Sequence, residues 1–582
     1  MKRWGWILSA VVLLAMTASA QQAADSASQP AGSQPSAVKP VSTTPGLALA
    51  SQAPRTPVSV DQVVDAIIER EHALIQFLHD RTPLVETYLQ NLQPDTKLGA
   101  VPKEDHYFLG RLDLSDVDRR DYLTKETSFQ RTLMGGVTKL FRIQYQPMGF
   151  SWMIFADRQN FDRAHYDFHY VRREFLGEVR TMVFEVTPKK NAGTGLFQGQ
   201  IWVEDQDYNI VRLNGTYVPR PKNAFYFHMD SWRLNLVPGY WIPSYIYSEE
   251  GDFSYGSRDK LAFKAQSRIW GYAVMKNSRD DELTDLTVED VKDVSANAQD
   301  LSPLEAQRAW QQQAEDNVLD RLQKAGLLAP AGDVDKVLQT VVNNIEITNN
   351  IDLPRPVRAR VMVTSPLETF SVGNTIIISR GLIDTLPDEA SLAAVLSHEL
   401  AHIVLGHNLG SKFAFTDRML FSDESTYQNF GFRHNPEEEK AADDKAVELL
   451  KNSPYAQKLG AAGLYLKQLQ ARAPQLSALL TAHLGNGFTD DHGQIIRLSG
   501  LMTSAPALDE NKLDQIAALP LGGRIKLDPW LDKVDMIKAA PVSYTSARDK
   551  LPFELTPFFP RLSRLGADTA TAQNAPATGS KN

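Results

Sequence analysis

Two histidines and a glutamate lie close together in an apolar stretch in the second half of the chain. Residues 397–402 read Ser-His-Glu-Leu-Ala-His, with apolar residues on both sides. Because neither Gly nor Pro interrupts this run, it is predicted to form a buried helix that begins near Thr385. His398 and His402 then project from one face of the helix, as two zinc ligands do. Glu399 lies beside them, where its carboxylate reaches a water molecule near the metal without binding the metal itself.

A catalytic zinc site needs a third protein ligand, and the histidine nearest downstream fits poorly. His407 suggests the pattern H-E-x-x-H-x-x-G-x-x-H, in which a glycine and a third histidine follow at fixed distances. Here Leu405 occupies the glycine position and Asn408 that of the third histidine, so the sequence is one residue out of step. We therefore do not expect His407 to bind the metal.

An acidic run further downstream offers a better third ligand. Asn435-Pro436 is typical of a helix start, since Asn caps the first turn and Pro fits the first helical position. On that helix Glu439 and Asp443 lie four residues apart on one face. Glu438 is an alternative ligand, and a solvated acidic first turn that binds no metal is the other alternative.

The two motifs together, H-E-x-x-H at 398–402 and E-x-x-A-D at 439–443, resemble the zinc metallopeptidase family of HtpX, the CAAX-prenyl proteases and the periplasmic BepA-type proteases. The resemblance implies that Glu439 is the third ligand of one Zn²⁺ per chain. It also implies that Asp443 orients a ligand histidine, which is consistent with the way carboxylates fix the tautomer of metal-bound imidazoles. Protein or peptide substrates, including misfolded envelope proteins, are the partners implied.

The resemblance extends upstream, to a short strand at 359–363 and a hairpin at 369–379 that turns at Gly373-Asn374. In the family the strand after this turn is an edge strand that pairs with extended substrate. The resemblance implies the same role for Thr375, Ile376, Ile377, Ile378 and Ser379. An ordinary interior strand is the alternative.

Downstream the match is looser. Relatives carry a His-Pro pair with an arginine about six residues on, whereas His492 and Arg497 are five apart and no proline follows the histidine. The resemblance implies that His492 stabilises the oxyanion of the reaction, with Arg497 as its support. His483 is a rival for this role, and an ordinary loop histidine is the alternative.

Composition narrows the function classes. The chain has 582 residues, a formal net charge of −9 and no cysteine. Its length allows two or three domains. The acidic balance and the lack of a long basic block argue against nucleic-acid binding. Without cysteine there is no disulfide, zinc ribbon or thiol catalysis.

The two ends of the chain differ in composition from the rest. Residues 1–20 have the features of a signal peptide, since a basic start and a short apolar stretch precede Ala-Ser-Ala. We expect export to the periplasm with cleavage after Ala20, and an uncleaved anchor is the alternative. No other run reaches the roughly 18 apolar residues of a membrane helix, so no transmembrane helix is predicted in the mature chain. Residues 21–57 and 567–582 are predicted to be a disordered linker and tail.

Short apolar and aromatic runs alternate with turns over residues 58–285, which predicts an antiparallel β domain with a curved sheet or half-barrel. The segments 199–203, 208–212 and 239–243 resemble the LolA-type lipoprotein-carrier fold, which implies an acyl or hydrophobic ligand. A β scaffold without a ligand is the alternative. The alternation at 165–169 (His-Tyr-Asp-Phe-His) is interpreted as the polar face of a strand rather than a metal site.

These observations predict an α+β protein. A helical linker at 286–330 joins the β domain to a mostly helical zinc metallopeptidase domain at 331–505, and an extension at 506–566 packs on a neighbouring part. The long loop at 408–434 is interpreted either as a lid or as a segment anchored by its aromatic residues.

The function expected is that of an exported zinc-dependent endopeptidase in envelope protein quality control, with Glu399 as general base. A lipoprotein or hydrophobic-segment carrier, or a chaperone, with a latent peptidase domain is the alternative. A purely structural zinc site is a third hypothesis, disfavoured because only three ligands are in view.

Overall fold

The computed structural model describes most of the predicted folded region. The described residues are 59–96, 99–114, 119–121, 150, 153–219, 226–255, 259–272, 303–407, 431–490, 492–509, 512, 515, 517–519, 521, 525–528, 533–536 and 553–565. The predicted signal peptide, the linker at 21–57, the tail at 567–582 and residues 408–430 of the predicted lid lie outside them.

A ten-stranded antiparallel sheet forms the N-terminal part of the structure. Its order is β3-β2-β1-β10-β9-β8-β7-β6-β5-β4, so all neighbouring strands are also consecutive in sequence except at one place. There β10 returns to pair with β1, with Leu84 opposite Trp270. The strands are β1 Leu84–Asp95, β2 Gly99–Leu112, β3 Arg119–Asp121, β4 Tyr166–Leu176, β5 Val179–Pro188, β6 Leu196–Glu204, β7 Ile210–Val218, β8 Met229–Val237, β9 Tyr240–Tyr255 and β10 Asp259–Trp270.

Helix α1 (Val60–Leu78) covers one face of this sheet. Ser59 caps the helix by accepting a hydrogen bond from the backbone N–H of Gln62 at 3.3 Å. The helix buries an apolar stripe of Val64, Ile67, Leu74 and Leu78 in the same cluster as sheet side chains. A buried ion pair also ties the helix to the sheet, since Arg233 donates to both carboxylate oxygens of Glu71 at 2.6 and 2.7 Å.

Two features of the sheet differ from the predictions. The apolar run at 150–155 is one of the short runs that predict the β domain, but none of its described residues lies in a strand, and they are buried against the sheet. Conversely, β1 and β2 carry no clear strand pattern because they bury polar side chains, among them Glu86, Gln90 and Asp105. Burial of polar groups in a strand is tolerated where they find hydrogen-bond partners, and these partners come from distant parts of the chain.

The C-terminal part is mostly helical, which confirms the predicted α+β architecture. Its helices are α2 Pro303–Lys324, α3 Asp333–Thr348, α4 Arg380–Thr385, α5 Glu389–Leu405, α6 Pro436–Lys451, α7 Leu459–Arg472, α8 Ser477–Leu480 and α9 Gly500–Ser504. Its strands are β11 Arg358–Met362, β12 Thr369–Val372, β13 Thr375–Ser379, β14 Ile525–Asp528 and β15 Lys533–Met536. Among the described residues, no helix is both long and apolar enough to cross a membrane.

The small sheet next to α5 contradicts one prediction. Its order is β11-β13-β12, with β13 parallel to β11 and antiparallel to β12. The segment expected to pair with extended substrate, Thr375, Ile376, Ile377, Ile378 and Ser379, is therefore the central strand and is fully buried. Its main-chain groups already bond to strands on both sides, so it has no free edge for an added strand. The expectation of β-addition at this strand is wrong.

The sheet and the helical part share a core. Leu84, Tyr88 and Trp270 of the large sheet belong to the same apolar cluster as helices α3 to α7. On the same face, residues 558–562 near the C-terminus pack against sheet side chains that include Trp202, Trp232 and Trp241. The chain therefore returns, after the helical part, to the sheet with which it began.

Candidate metal centre

Helix α5 presents the two motif histidines in a buried position. Asp388 caps it, accepting a hydrogen bond from the backbone N–H of Ser391 at 2.8 Å, and Gly406 ends it in a left-handed conformation with φ of 71°. The expected start at Thr385 is wrong, because that residue ends α4 and its hydroxyl bonds the carbonyl of Gly381 at 3.1 Å. His398, Glu399 and His402 are all at most 1% exposed.

Helix α6 carries the third candidate ligand and begins as predicted. Asn435 caps it by accepting from the backbone N–H groups of Glu437 and Glu438, and Pro436 is its first residue. Its small residues Ala442 and Ala446 are fully buried, and the helix packs on α5. Small side chains allow two helices to approach closely, so the carboxylates of α6 reach the imidazoles of α5.

Candidate ligand atoms of three residues form a compact triangle, with the two carboxylate oxygens of Glu439 at one corner. The Nε2 atoms of His398 and His402 are 3.2 Å apart, and Glu439 oxygens lie 3.2 Å from the first and 3.4 Å from the second. Atoms bound to one tetrahedral zinc at its usual bond lengths are about 3.3–3.5 Å apart. Within the described residues, these three are the group able to hold a metal ion. The donor set and the edges of the triangle therefore fit zinc.

The other ring nitrogen of each histidine also has a partner. His398 Nδ1 lies 2.7 Å from Asp443 Oδ1, and His402 Nδ1 lies 3.0 Å from His407 Nδ1. With Nε2 facing the metal position, Nδ1 carries the proton and donates to these groups. The structure thus places Asp443 beside the ring of His398 and His407 beside the ring of His402.

The general-base candidate Glu399 has one oxygen held and one oxygen free. Arg497 donates to Glu399 Oε1 at 2.8 Å and to Glu439 Oε2 at 3.1 Å. Glu399 Oε2 is buried and has no hydrogen-bond partner among the described residues. A buried carboxylate oxygen without a partner is costly, so this oxygen is positioned to accept a proton from a molecule bound in the cleft.

The charges at this centre support one another. Burial works to raise the pKa of Glu439, but Arg497 and the two histidines outweigh it and hold that pKa well below its ordinary value. For Arg497 burial acts in the opposite sense, and the carboxylates of Glu439 and Glu399 keep its pKa above the ordinary value. Both groups are therefore charged at neutral pH.

The two histidines proposed for the oxyanion lie elsewhere. His492 is exposed on a turn of residues 490–494, and its ring has no hydrogen-bond or ion-pair partner among the described residues. The ring of His483 packs on Tyr107 of the large sheet, with centroids 5.2 Å apart. The structure brings neither ring into contact with the ligand triangle, and Arg497, expected only as a support, contacts it directly.

Two further residues at the centre were missed in the sequence. His434 stacks on His402 with ring centroids 3.8 Å apart and an angle of 14°, and its side chain is 2% exposed. The side-chain amide of Asn486 donates to Glu439 Oε1. No local motif marks either residue, because each reaches the centre from a loop whose position depends on long-range packing.

A cleft of about 1330 Å³ opens beside the triangle. Its lining includes the ligand Glu439, its neighbours His434 and Asn486, and the exposed His492. The cleft exceeds the roughly 300–1,000 Å³ of ordinary small-molecule sites, so it has room for several residues of a peptide.

Comparison with protein families is decisive for the helical part. Residues 330–431 match the model of peptidase family M48. This segment is an M48 peptidase domain. The matched range contains His398, Glu399 and His402 but ends before Glu439, so the third ligand of the M48 domain rests on the geometry above. The match supports a metallopeptidase, and the peptidase family implies protein substrates.

Several solved structures match part of the chain. A domain from Vibrio parahaemolyticus, assigned as an outer membrane lipoprotein-sorting protein domain, matches 35% of this chain and 91% of its own length. The sequence identity is 7% and the TM-score is 0.16. No curated protein matches the chain.

Proposed function

We propose that the chain is an exported zinc-dependent endopeptidase that acts on proteins of the cell envelope, including misfolded ones. The M48 domain and the ligand triangle support the peptidase and the metal. The signal-like sequence at 1–20 supports export to the periplasm. Misfolded envelope proteins come from the resemblance of the two motifs and are the part of the proposal that rests on the sequence alone.

The residues of the centre divide the chemistry among them. His398, His402 and Glu439 would hold Zn²⁺, which supplies polarisation of the scissile carbonyl and acidification of a water molecule. Glu399 takes a proton from the attacking water through Oε2, while its other oxygen stays on Arg497. Glu399 then delivers that proton to the leaving amine nitrogen as the C–N bond breaks. The products are a carboxyl group and an amine.

The unpartnered Oε2 of Glu399 is the observation that carries this proposal. A structural zinc site has four protein ligands and no need for a buried carboxylate with a free oxygen beside it. Here the described residues offer three ligands, and the free oxygen lies on the residue next to His398. This arrangement supports hydrolysis over a purely structural role.

The cleft supports an internal rather than a terminal cut. Its volume accommodates several residues, and it continues past Glu439 along the exposed residues Ser477 and Thr481. The carrier hypothesis has no comparable support, because the likeness to the lipoprotein-sorting domain, with a TM-score of 0.16, is too weak to imply a ligand.

The test is hydrolysis of an unfolded protein such as reduced casein by purified residues 21–582. We expect Glu399→Gln to lower kcat by about 100- to 10,000-fold, because a general base contributes that much. Zinc content should stay at one per chain, since Glu399 is not a ligand. Glu437→Gln is the matched control, because Glu437 is exposed on α6 and should leave kcat unchanged. Equal cleavage by Glu399→Gln and wild type would contradict the assignment, and a wild type without zinc would contradict the site.

A further inference from the structure

One wall of the cleft contacts both the metal ligand on α6 and the arginine of the centre. This wall, residues 477–486, starts with helix α8 and ends at Asn486. The side chain of Asn486 donates to Glu439, and its carbonyl accepts from Arg497 at 3.3 Å. The position of the wall therefore sets where Glu439 and Arg497 meet.

The same wall holds the segment that leads into helix α6. Phe432 donates its backbone N–H to the carbonyl of Leu484 at 2.6 Å. Arg433 donates to the carbonyls of Gly485 and Ala482 at 3.2 and 3.0 Å. A shift of the wall would thus move the start of the helix that carries the third ligand.

Two buried carboxylates fix the wall from behind. Glu368, 1% exposed, accepts the backbone N–H groups of His483, Leu484 and Gly485 at 2.9, 2.9 and 3.2 Å. Asp105, 4% exposed, accepts the backbone N–H groups of Ala478 and Leu479, both at 2.8 Å. Glu368 belongs to the M48 domain, but Asp105 lies on strand β2 of the large sheet.

Asp105 is itself held within the sheet. The hydroxyl of Tyr88, on the adjacent strand β1, donates to Asp105 Oδ2 at 2.9 Å. No lysine or arginine among the described residues pairs with Asp105, so its buried charge depends on these three donors. Hydrogen bonds to a charged acceptor are about twice as strong as neutral ones, so the carboxylate is well suited to hold the wall.

We propose that Asp105 is a positioning residue of the peptidase centre, through which the large sheet sets the geometry of Glu439 and Arg497. The inference rests on the proposed function, because it concerns the same centre. The large sheet then contributes to catalysis by positioning these residues, in addition to packing against the peptidase domain. Errors of about 1 Å in the placement of catalytic groups cost large factors in rate.

The test compares Asp105→Asn with wild-type protein of residues 21–582, loaded with zinc for kinetics and with Co²⁺ for absorption spectra. The amide of Asn cannot accept from both wall N–H groups. We expect kcat on reduced casein to fall at least 10-fold with KM within about threefold, and the visible d–d bands of Co²⁺ to shift because Glu439 moves. Asp105→Glu, which keeps the charge but adds one methylene, should show a smaller change of the same kind and serves if Asp105→Asn does not fold.

Thr87→Val is the matched control, since it removes a buried hydrogen bond of the large sheet, to Ser267 at 2.6 Å, that involves neither Asp105 nor the wall. It should keep the wild-type kcat and Co²⁺ spectrum, whatever its Tm. The proposal is overturned if Asp105→Asn loses thermal stability but keeps the wild-type kcat and the wild-type Co²⁺ spectrum. The spectrum needs no substrate, so a wild type that binds metal without cleaving protein would contradict the proposed function, while a shifted Asp105→Asn spectrum would still support the positioning role.

Discussion

Three histidines meet at the metal centre, and a different group holds Nδ1 of each. Nδ1 of His398 contacts Asp443, and Nδ1 of His402 contacts His407. Nδ1 of His434 lies 3.1 Å from Glu438 Oε2. Only the first two present Nε2 to the ligand triangle. Nε2 of His434 is buried and has no hydrogen-bond partner among the described residues. His434 therefore acts on the centre through the stack of its ring on His402.

This stack leads to a prediction about metal retention. Burial, together with the nearby His402, lowers the pKa of His434, so the stacked ring is neutral at pH 7. His434→Ala removes the flat neighbour that holds the ring of His402, and we expect zinc affinity to fall by about 10- to 100-fold. His434→Phe keeps a flat ring and should stay within about threefold of wild type. Chelator competition measures both, and equal losses in the two variants would contradict a role through stacking.

Residue spacing and the motif resemblance were enough to identify the candidate ligands. They were not enough to identify the residues that surround these ligands. His398 and His402 are neighbours on any helix, and Glu439 follows from the resemblance of its motif. Asn486 contacts Glu439 across 47 residues of sequence, and Arg497 contacts Glu399 across 98. Such contacts depend on loops fixed by Asp105 and Glu368, and no local pattern encodes them.

Among the elements, helices were easier to predict than strands. Asn435 and Pro436 mark the start of α6 by local chemistry that the structure keeps. The position of β13 within its sheet depends on pairing with β11, which precedes it by more than ten residues and runs parallel to it. A strand's own residues specify that it is buried, but not which strands lie on either side.

Helix α1 occupies one face of the large sheet, in the domain for which an acyl or hydrophobic ligand was considered. Leu74, on its apolar stripe, is 2% exposed within the sheet cluster. Leu74→Ala should lower the free energy of unfolding by about 2–5 kcal/mol, since it leaves a cavity under the helix. Val60→Ala is the control, because Val60 is 53% exposed and its truncation should change little.

Urea unfolding followed by circular dichroism compares the two α1 variants. A loss below about 1 kcal/mol for Leu74→Ala would mean that the helix is loosely packed. Tight packing has a consequence for the carrier hypothesis. An acyl chain could use this face only by displacing α1, which also means breaking the buried pair of Glu71 and Arg233.

At the scale of the whole molecule, buried polar groups join the sheet to the M48 domain and to the C-terminal segment. Glu86 of β1 accepts from Arg380 of α4 at 2.8 Å, and Lys264 of β10 pairs at 2.7 Å with Glu554 near the C-terminus. These pairs are at most 7% exposed. Breaking one partner of such a pair costs several kcal/mol, so the two parts are expected to unfold together.

The contact that Asp105 makes between the large sheet and residues 478–479 depends on pH. Burial raises its pKa to about 6 from an ordinary 3.8, against the opposing effect of its hydrogen bonds. The folded protein therefore binds this proton more tightly than the unfolded chain. The resulting stabilisation is full below about pH 4 and is lost as the pH rises through 6.

The measurement is the difference in unfolding free energy between wild type and Asp105→Asn, which cancels the other titrating groups. From pH 4 to pH 7 the wild type should lose up to about 3 kcal/mol relative to the variant. A difference that stays constant over this range would show that Asp105 titrates as an ordinary surface carboxyl. Urea titrations at each pH provide the values.

The contact between the C-terminal residues 558–562 and the large sheet bears on how the protein is made. Leu562 and Phe558 cover the tryptophans of strands that the ribosome produces hundreds of residues earlier. Domains usually fold in order as they emerge during synthesis. Here the face of the large sheet that carries these tryptophans is covered only after residues 558–562 have been synthesised. The nascent sheet therefore exposes an aromatic surface until that point.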